Sequence, residues 1–139
     1  MNAPIRTRLA PLRAGYTRTL ELPDLEVTWS CSLDERGRVR EIFARLGRCG
    51  DLERGLVDGL CIALSVALQH DVPIGAVLSK FRHSRFGPDG LTGDADIPRV
   101  SSVLDHLAQW LELVEARCSP PRSADTPPAP TLDGVGAQP

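Results

Sequence analysis

The strongest constraint on the fold lies between Asp51 and Gly90, in DLERGLVDGLCIALSVALQHDVPIGAVLSKFRHSRFGPDG. Leu52, Leu56, Val57, Leu60, Cys61, Leu64, Ala67 and Leu68 recur at steps of three and four, the period of one buried helical face. Ile62, Ala63 and Val66 widen that stripe toward the whole circumference, so the spacing predicts a central helix covered on more than one side rather than a surface element. About nine apolar side chains at roughly 1.5–3 kcal/mol each when buried oppose some twenty residues of backbone ordering at roughly 1–2 kcal/mol each. The two terms are of similar size, so the segment needs a sheet or other helices to bury against. Asp51, after Gly50, is the expected N-cap, and Glu53 adds negative charge to the first turn. Pro73 disfavours the helical region at Val72, which ends the helix near His70 and Asp71. Pro73 then opens a shorter helix carrying Ile74, Val77, Leu78 and Phe81.

Upstream of this pair the period changes to two. Tyr16, Arg18, Leu20 and Leu22 alternate with Thr17, Thr19 and Glu21, and Leu25, Val27, Trp29, Cys31 and Leu33 alternate with Glu26, Thr28, Ser30 and Ser32. Pro23-Asp24 and the polar DERGR at 34–38, with Gly37 available for positive φ, turn the chain into a third strand, VREIFARL. Ile42, Ala44 and Leu46 form one apolar series there, while Val39 and Phe43 bracket Glu41 on the other, which predicts cover on both faces. Short turns make the three strands an antiparallel meander.

Residues 81–98 are rich in Gly, Asp and Pro without a regular period and read as an ordered loop, longer than a compact domain keeps without a purpose. Val100, Val103, Leu104, Leu107, Trp110, Leu111 and Val114 then give a C-terminal helix, with Ser102-x-x-Asp105 in the form of a capping box. It is expected to pack on the central helix and the sheet. The fold class is therefore α+β: a three-stranded antiparallel meander packed against a central helix, a short second helix and a C-terminal helix. Residues 1–15, with Arg6, Arg8 and Arg13 and no acid, form a basic arm that is disordered or docks on its own domain or an acidic partner. Residues 16–118 form the domain, and residues 119–139, with six prolines and few aliphatics, form a disordered tail.

One domain is the expectation at 139 residues. Sixteen basic against 18 acidic residues give a net charge of −2, so the chain as a whole offers no reason to expect nucleic-acid or membrane binding. Neither a spanning helix nor a signal peptide is visible, which points to the cytoplasm. Cys31, Cys49, Cys61 and Cys118 show no metal-ligand spacing; Cys31 and Cys61 fall on apolar faces and read as core, Cys49 and Cys118 as more exposed. No metal site is expected.

No catalytic constellation emerges. His70, His83 and His106 lack a nucleophile setting, and neither a P-loop nor a dinucleotide fingerprint is present. His106 beside Asp105 on one helix points elsewhere, so the pair is not a dyad; His70 is better explained as a group favoured by the helix C-terminus. The one concentration of anion-binding groups is Lys80, Arg82, His83 and Arg85, followed by Phe86 and a Gly87-Pro88-Asp89-Gly90 turn. It suits a phosphate, a nucleotide or an acidic protein loop; the competing reading is a solvated basic strip whose Phe81 and Phe86 anchor the loop.

Taken in order, RTRLAPLRAGYTRTLEL, GRVREIF, LVDGLCIALSVALQHDVPIGAVLSKFRHSRFGPDGLTGDADI and SSVLDHLAQWL resemble the TSCPD region at the C-terminus of adenosylcobalamin-dependent (class II) ribonucleotide reductases. That family shows an arginine-rich start with G-Y-T, a G-R-x-x-E-I-F strand, an S-x-A-L-Q-Y-G-V-P elbow, an R-F-x-P-x-G loop and an S-I-x-D-Y helix. The resemblance covers about residues 6–115. His70 and Asp71 stand where the family has an aromatic and Gly, and Gly87 where Glu is common. The tail lacks the C-x-x-C that full-length reductases carry.

The resemblance implies an accessory, regulatory or detached domain of the ribonucleotide reductase system, related to deoxyribonucleotide synthesis. The radical-bearing barrel is missing from these residues, so the chain alone is expected to reduce no ribonucleotide. Adenosylcobalamin is implied only for a parent or partner reductase, not for this chain. The alternative is a small nucleotide- or phosphate-binding module unconnected to the reductase. Trp29 and the second face of the sheet are compatible with either a core or a dimer interface.

Overall fold

The structure is a computed structural model, which describes residues 5, 6, 9, 11, 13–47 and 49–118. The proline-rich tail at 119–139 lies outside the described residues. Strands β1 (Gly15–Leu22), β2 (Leu25–Leu33) and β3 (Val39–Gly47) form an antiparallel sheet in the order β1-β2-β3. Helices α1 (Asp51–Gln69) and α2 (Ile74–Phe81) follow; a small hairpin pairs β4 (Gly90–Leu91) with β5 (Arg99–Val100), and α3 (Val103–Cys118) ends the described fold. This is the α+β arrangement that the alternation and helical periods predict.

Leu22 pairs directly with Leu25 across the Pro23-Asp24 turn, Leu20 with Val27, Trp29 with Ala44 and Val27 with Leu46, so one face of the sheet is continuous hydrocarbon. Leu20, Leu22, Val27, Trp29, Cys31, Leu33, Ile42 and Leu46 on that face are buried against Leu64, Leu68, Leu78, Ile97, Leu107 and Leu111. Trp29 is wholly buried, which assigns it to the core rather than to an interface. The opposite face carries hydroxyl pairs, Thr19 with Thr28 at 3.0 Å and Thr17 with Ser30 at 3.3 Å.

A register shift between Ser32 and Leu33 changes the expected reading of β3. Ser32 faces Glu41 but Leu33 faces Val39, leaving Arg40 as the extra residue of a bulge. The bulge turns Val39 into the core, whereas Phe43 stays half-exposed, so cover on both faces of β3 does not hold. It also sends the Arg40 guanidinium under the end of α1, where it donates to the Leu68 carbonyl, to Asp34 Oδ2 (3.0 Å) and to Asp71 Oδ1 (2.9 Å).

Helix α1 lies along β3 and bonds its outer edge at three residues. Ser65 bonds both the N–H and the C=O of Ile42, Gln69 Nε2 donates to the Arg40 carbonyl at 3.2 Å, and Arg54 Nη1 donates to the Leu46 carbonyl at 2.9 Å. Only the C-terminal half of the helix is buried as expected, with Leu64 and Leu68 against Ile74, Leu78, Leu107 and Leu111. The expectation of a helix covered on more than one side, and not a surface element, is overturned: Leu52, Leu56, Ile62 and Ala63 are exposed. The cause is length. Nineteen residues run the full extent of β3, while α2 and α3 reach only the far end.

The caps also differ from expectation. Gly50, not Asp51, is the N-cap, in an extended conformation; a side chain there would meet Glu53 Oε1. At the other end Val72 N–H bonds Ala67 O and Asp71 N–H bonds Leu68 O, both at 3.0 Å, with Asp71 left-handed at φ 66°. That pattern is a complete Schellman termination. Pro73 caps α2 rather than opening it. Val100 belongs to β5, so α3 starts later than the apolar spacing suggests; Ser102 Oγ accepts the Asp105 N–H at 3.0 Å, the first half of the expected capping box.

Two described parts of the basic arm engage the domain. Arg13 pairs with Glu41 at 2.6 Å, and Arg6 Nε donates to Gln69 Oε1. Ala14 O accepts from Leu33 N at 2.9 Å, which leads the arm into β1.

Candidate functional site

The segment from Lys80 to Phe86 leaves α2 through one residue in the left-handed region, His83 at φ 68°. Its geometry is set from the start of α3. Asp105, 3 % exposed, accepts His83 N–H (2.8 Å) and Arg82 Nη1 (3.1 Å) on Oδ1, and Ser101 N–H (3.1 Å) and Gln109 Nε2 (2.8 Å) on Oδ2. Burial pulls this carboxyl pKa upward, but the donors from His83, Ser101, Gln109 and Arg82 outweigh it and the net shift is downward. Ser84 adds a second tie: its Oγ donates to Phe81 O and sits 2.7 Å from Ser102 Oγ, while its carbonyl accepts from Ser101 Oγ at 2.7 Å. Phe86 N–H bonds Ser101 O at 3.1 Å.

The five candidate residues therefore divide. Arg82 is half-buried and engaged by Asp105 and by Glu112 (3.2 Å), so its charge is spent inside the domain. Lys80, His83, Arg85 and Phe86 are exposed on the same short segment. Asp105, Gln109, Ser84 and Ser101, which fix the backbone, carry no binding motif; only the Ser102-x-x-Asp105 capping signal marked one of them in the sequence. The rest of the loop is anchored to β1: Arg18 grips Asp94 with two bonds (2.8 and 2.7 Å) and reaches Asp96 at 3.0 Å. The hydrogen bonds from Arg18 hold the Asp94 carboxyl below the usual carboxylate range.

The buried members of the histidines and cysteines, His106, Cys31 and Cys61, serve packing. Trp29 Nε1–H donates to His106 Nδ1 at 3.0 Å, and burial lowers the His106 pKa to about 4, so the ring is neutral with its proton on Nε2. It faces away from Asp105, as adjacent helical positions must. His70 Nδ1 lies 2.9 Å from Val66 O inside its own helix. Burial raises Cys31 and Cys61 to about 11, far from thiolate chemistry at neutral pH.

Two open grooves complete the surface. One of 370 Å³ runs between β3 and α1, past Arg6, Phe43, Cys61 and Ile62; the other, of 520 Å³, lies around Arg36, Arg38, Asp71 and Pro73. Both are in the range of drug-sized ligands. No group of three or more potential metal ligands occurs among the described residues. No helix among them is long and apolar enough to cross a membrane.

A sheet edge bonded by helix side chains and a basic loop pinned by one buried carboxylate define a small α+β domain. Residues 11–115 match the TSCPD domain family model, and the chain belongs to the TSCPD domain family. It is 35% identical over 108 residues to a vitamin B12-dependent ribonucleotide reductase of Rhodopirellula baltica, an alignment covering 78% of this chain and 10% of that protein. It is 33% identical over 110 residues to the protein of the same name from Streptantibioticus cattleyicolor, covering 79% and 18%, and 29% identical over 107 residues to that of Bradyrhizobium diazoefficiens, covering 76% and 8%. The chain thus spans less than a fifth of the length of these relatives. No solved structure matches it.

Proposed function

We propose that this chain is an accessory or detached domain of a vitamin B12-dependent ribonucleotide reductase system, docking on the reductase through the Lys80–Phe86 segment and catalysing no step itself. The observation that carries the reading is the division within that segment: backbone and Arg82 fixed by Asp105, with Lys80, His83, Arg85 and Phe86 turned outward. A pre-ordered loop of cations around an aromatic suits an acidic protein surface, because little conformational entropy is lost on binding. The reductases in which the matched region recurs supply the partner class.

The test is titration of the chain onto a purified vitamin B12-dependent ribonucleotide reductase truncated before its own TSCPD region. Saturable binding that Lys80→Glu with Arg85→Glu abolishes is expected; absence of binding overturns the proposal. The exposed cations also support a second reading, a phosphate-bearing ligand. A nucleotide that raises the melting temperature of the wild type but not of the double variant, with no reductase binding, would establish that reading instead.

A further inference from the structure

The outer face of α1 serves nothing described so far. Leu52, Leu56 and Ile62 are 73%, 65% and 66% exposed, and Phe43 across the groove is 49% exposed. Between them on the same helical face stand Gly55, Gly59 and Ala63; open space surrounds both glycines. Val66 continues the stripe, which spans about 21 Å at 1.5 Å per residue. The buried stripe of the helix, Cys61, Leu64 and Leu68, lies on the opposite side. Helix α1 is thus apolar on two faces and covered on one.

We infer that this face binds a second copy of the chain, with the two α1 helices antiparallel about a two-fold axis near Gly59. Two features favour a copy of the same surface. The face is complementary to itself: a two-fold at Gly59 sets Leu56 against Ile62 and Leu52 against Val66 of the other copy, while Gly55, Gly59 and Ala63 let the backbones approach. Its charge is also polarised along the helix. Asp51, Glu53 and Asp58 outnumber Arg54, whose guanidinium bonds the Leu46 carbonyl, and leave the N-terminal half acidic on balance, whereas Arg6 and His70 stand at the C-terminal end, where Glu41 and Asp71 are already paired with Arg13 and Arg40. Antiparallel pairing brings the acidic half of each helix toward the basic end of the other.

The area is sufficient. With about 100 Å² for a fully buried aliphatic side chain and more for Phe, the four exposed residues offer on the order of 300 Å² per copy. Doubled and with a rim of similar size, this reaches roughly 1,200 Å², the lower bound for specific dimers. A reversible dimer follows rather than an obligate one.

The experiment is sedimentation velocity on the full chain from roughly 1 to 200 µM, the range where an interface of this size associates. The expected result is a concentration-dependent rise from the 15.1 kDa monomer toward twice that mass. Leu56→Glu with Ile62→Glu should remain monomeric throughout, with the far-UV circular dichroism of the wild type. A wild type that stays monomeric, or a dimer that survives the double substitution, overturns the inference. Should the double variant fail to fold, disulfide trapping decides. In a Cys49→Ser, Cys118→Ser background, Gly59→Cys should cross-link two copies on oxidation and Gly75→Cys, on exposed α2, should not; equal or no cross-linking at position 59 refutes the two-fold.

Discussion

Ser65 Oγ accepts the Ile42 N–H at 2.9 Å and donates to the Ile42 carbonyl at 3.2 Å, so one hydroxyl on α1 satisfies both Ile42 backbone groups on the outer edge of β3. An open strand edge is a template for unwanted pairing, and covering it with a helix is one of the standard protections. Here the cover is chemical as well as steric. Ser65 and Gln69 are the Ser and Gln of the S-x-A-L-Q element, and Ile42 is the Ile of G-R-x-x-E-I-F, so two sequence motifs meet in one set of hydrogen bonds.

Ser65→Ala should therefore destabilise the fold by about 1–3 kcal/mol, the usual cost of stranding buried hydrogen-bonding groups. Urea unfolding measures the loss, and amide exchange at Ile42 should accelerate more than at Trp29 in the strand centre. A neutral substitution would mean that water replaces the hydroxyl.

The strands and three helices were legible because their apolar periods are long and regular, as in LEVTWSCSL and in the helix from Leu52 to Leu68. What stayed hidden depends on single residues whose partners are distant in sequence. Nothing in VREIF announces the bulge at Arg40, which moves Val39 to the core. The apolar excess of α1 suggests burial on more than one side, yet periodicity reports only that a face is apolar, not that anything covers it. Loop 81–98 hides β4, and the helical spacing that starts at Val100 hides β5, because each strand is only two residues long. At the candidate site, the cations were visible by type, but their separation into Arg82 inside and Lys80 and Arg85 outside required Asp105, twenty-three residues beyond Arg82.

Asp71 is left-handed, a region that favours Gly, and its carboxylate offsets part of that strain by meeting Arg40 at 2.9 Å. Asp71→Ala retains a Cβ in the left-handed region and loses the ion pair, so it should cost about 1–2 kcal/mol. Asp71→Gly loses the same pair but relieves the backbone, and should stay within about 0.5 kcal/mol of wild type. Equal losses in urea titrations of the two variants would show that the ion pair, not the conformation, dominates.

Substitutions within the basic segment should separate folding from binding. Arg82→Ala strips a charged donor from Asp105, and Asp105→Ala strands Arg82 together with the His83 and Ser101 amides, so both should lower the melting temperature, Asp105→Ala by more. A loss of about 3 kcal/mol is reasonable for the buried carboxylate, since breaking a buried pair from one side leaves its partners unsatisfied. Lys80→Ala and Arg85→Ala, on exposed side chains, should change stability by less than about 0.5 kcal/mol. Differential scanning calorimetry on the four variants checks the order; a destabilised Arg85→Ala would place that residue in the scaffold as well.

The last expectation concerns acid. His106 is buried beneath Trp29 with its pKa lowered from 6.5 to about 4, so the unfolded chain binds a proton more readily than the folded one between those limits. Stability from this group is complete above pH 6.5 and falls as the pH drops toward 4, with a total loss on the order of 3 kcal/mol. The carboxyls of Asp34, Asp94 and Asp105 act in a different window: their folded pKa values lie below 3.8, so their contribution persists to about that pH and disappears only below it. His106→Gln retains an acceptor for Trp29 Nε1–H but cannot titrate. Urea midpoints measured from pH 7 to 4 should slope downward in the wild type and lie flat in His106→Gln, while both lose stability together below pH 4. Parallel slopes in the upper window would transfer the acid sensitivity to another group, since protonation of Nδ1 necessarily removes the acceptor of the Trp29 Nε1–H.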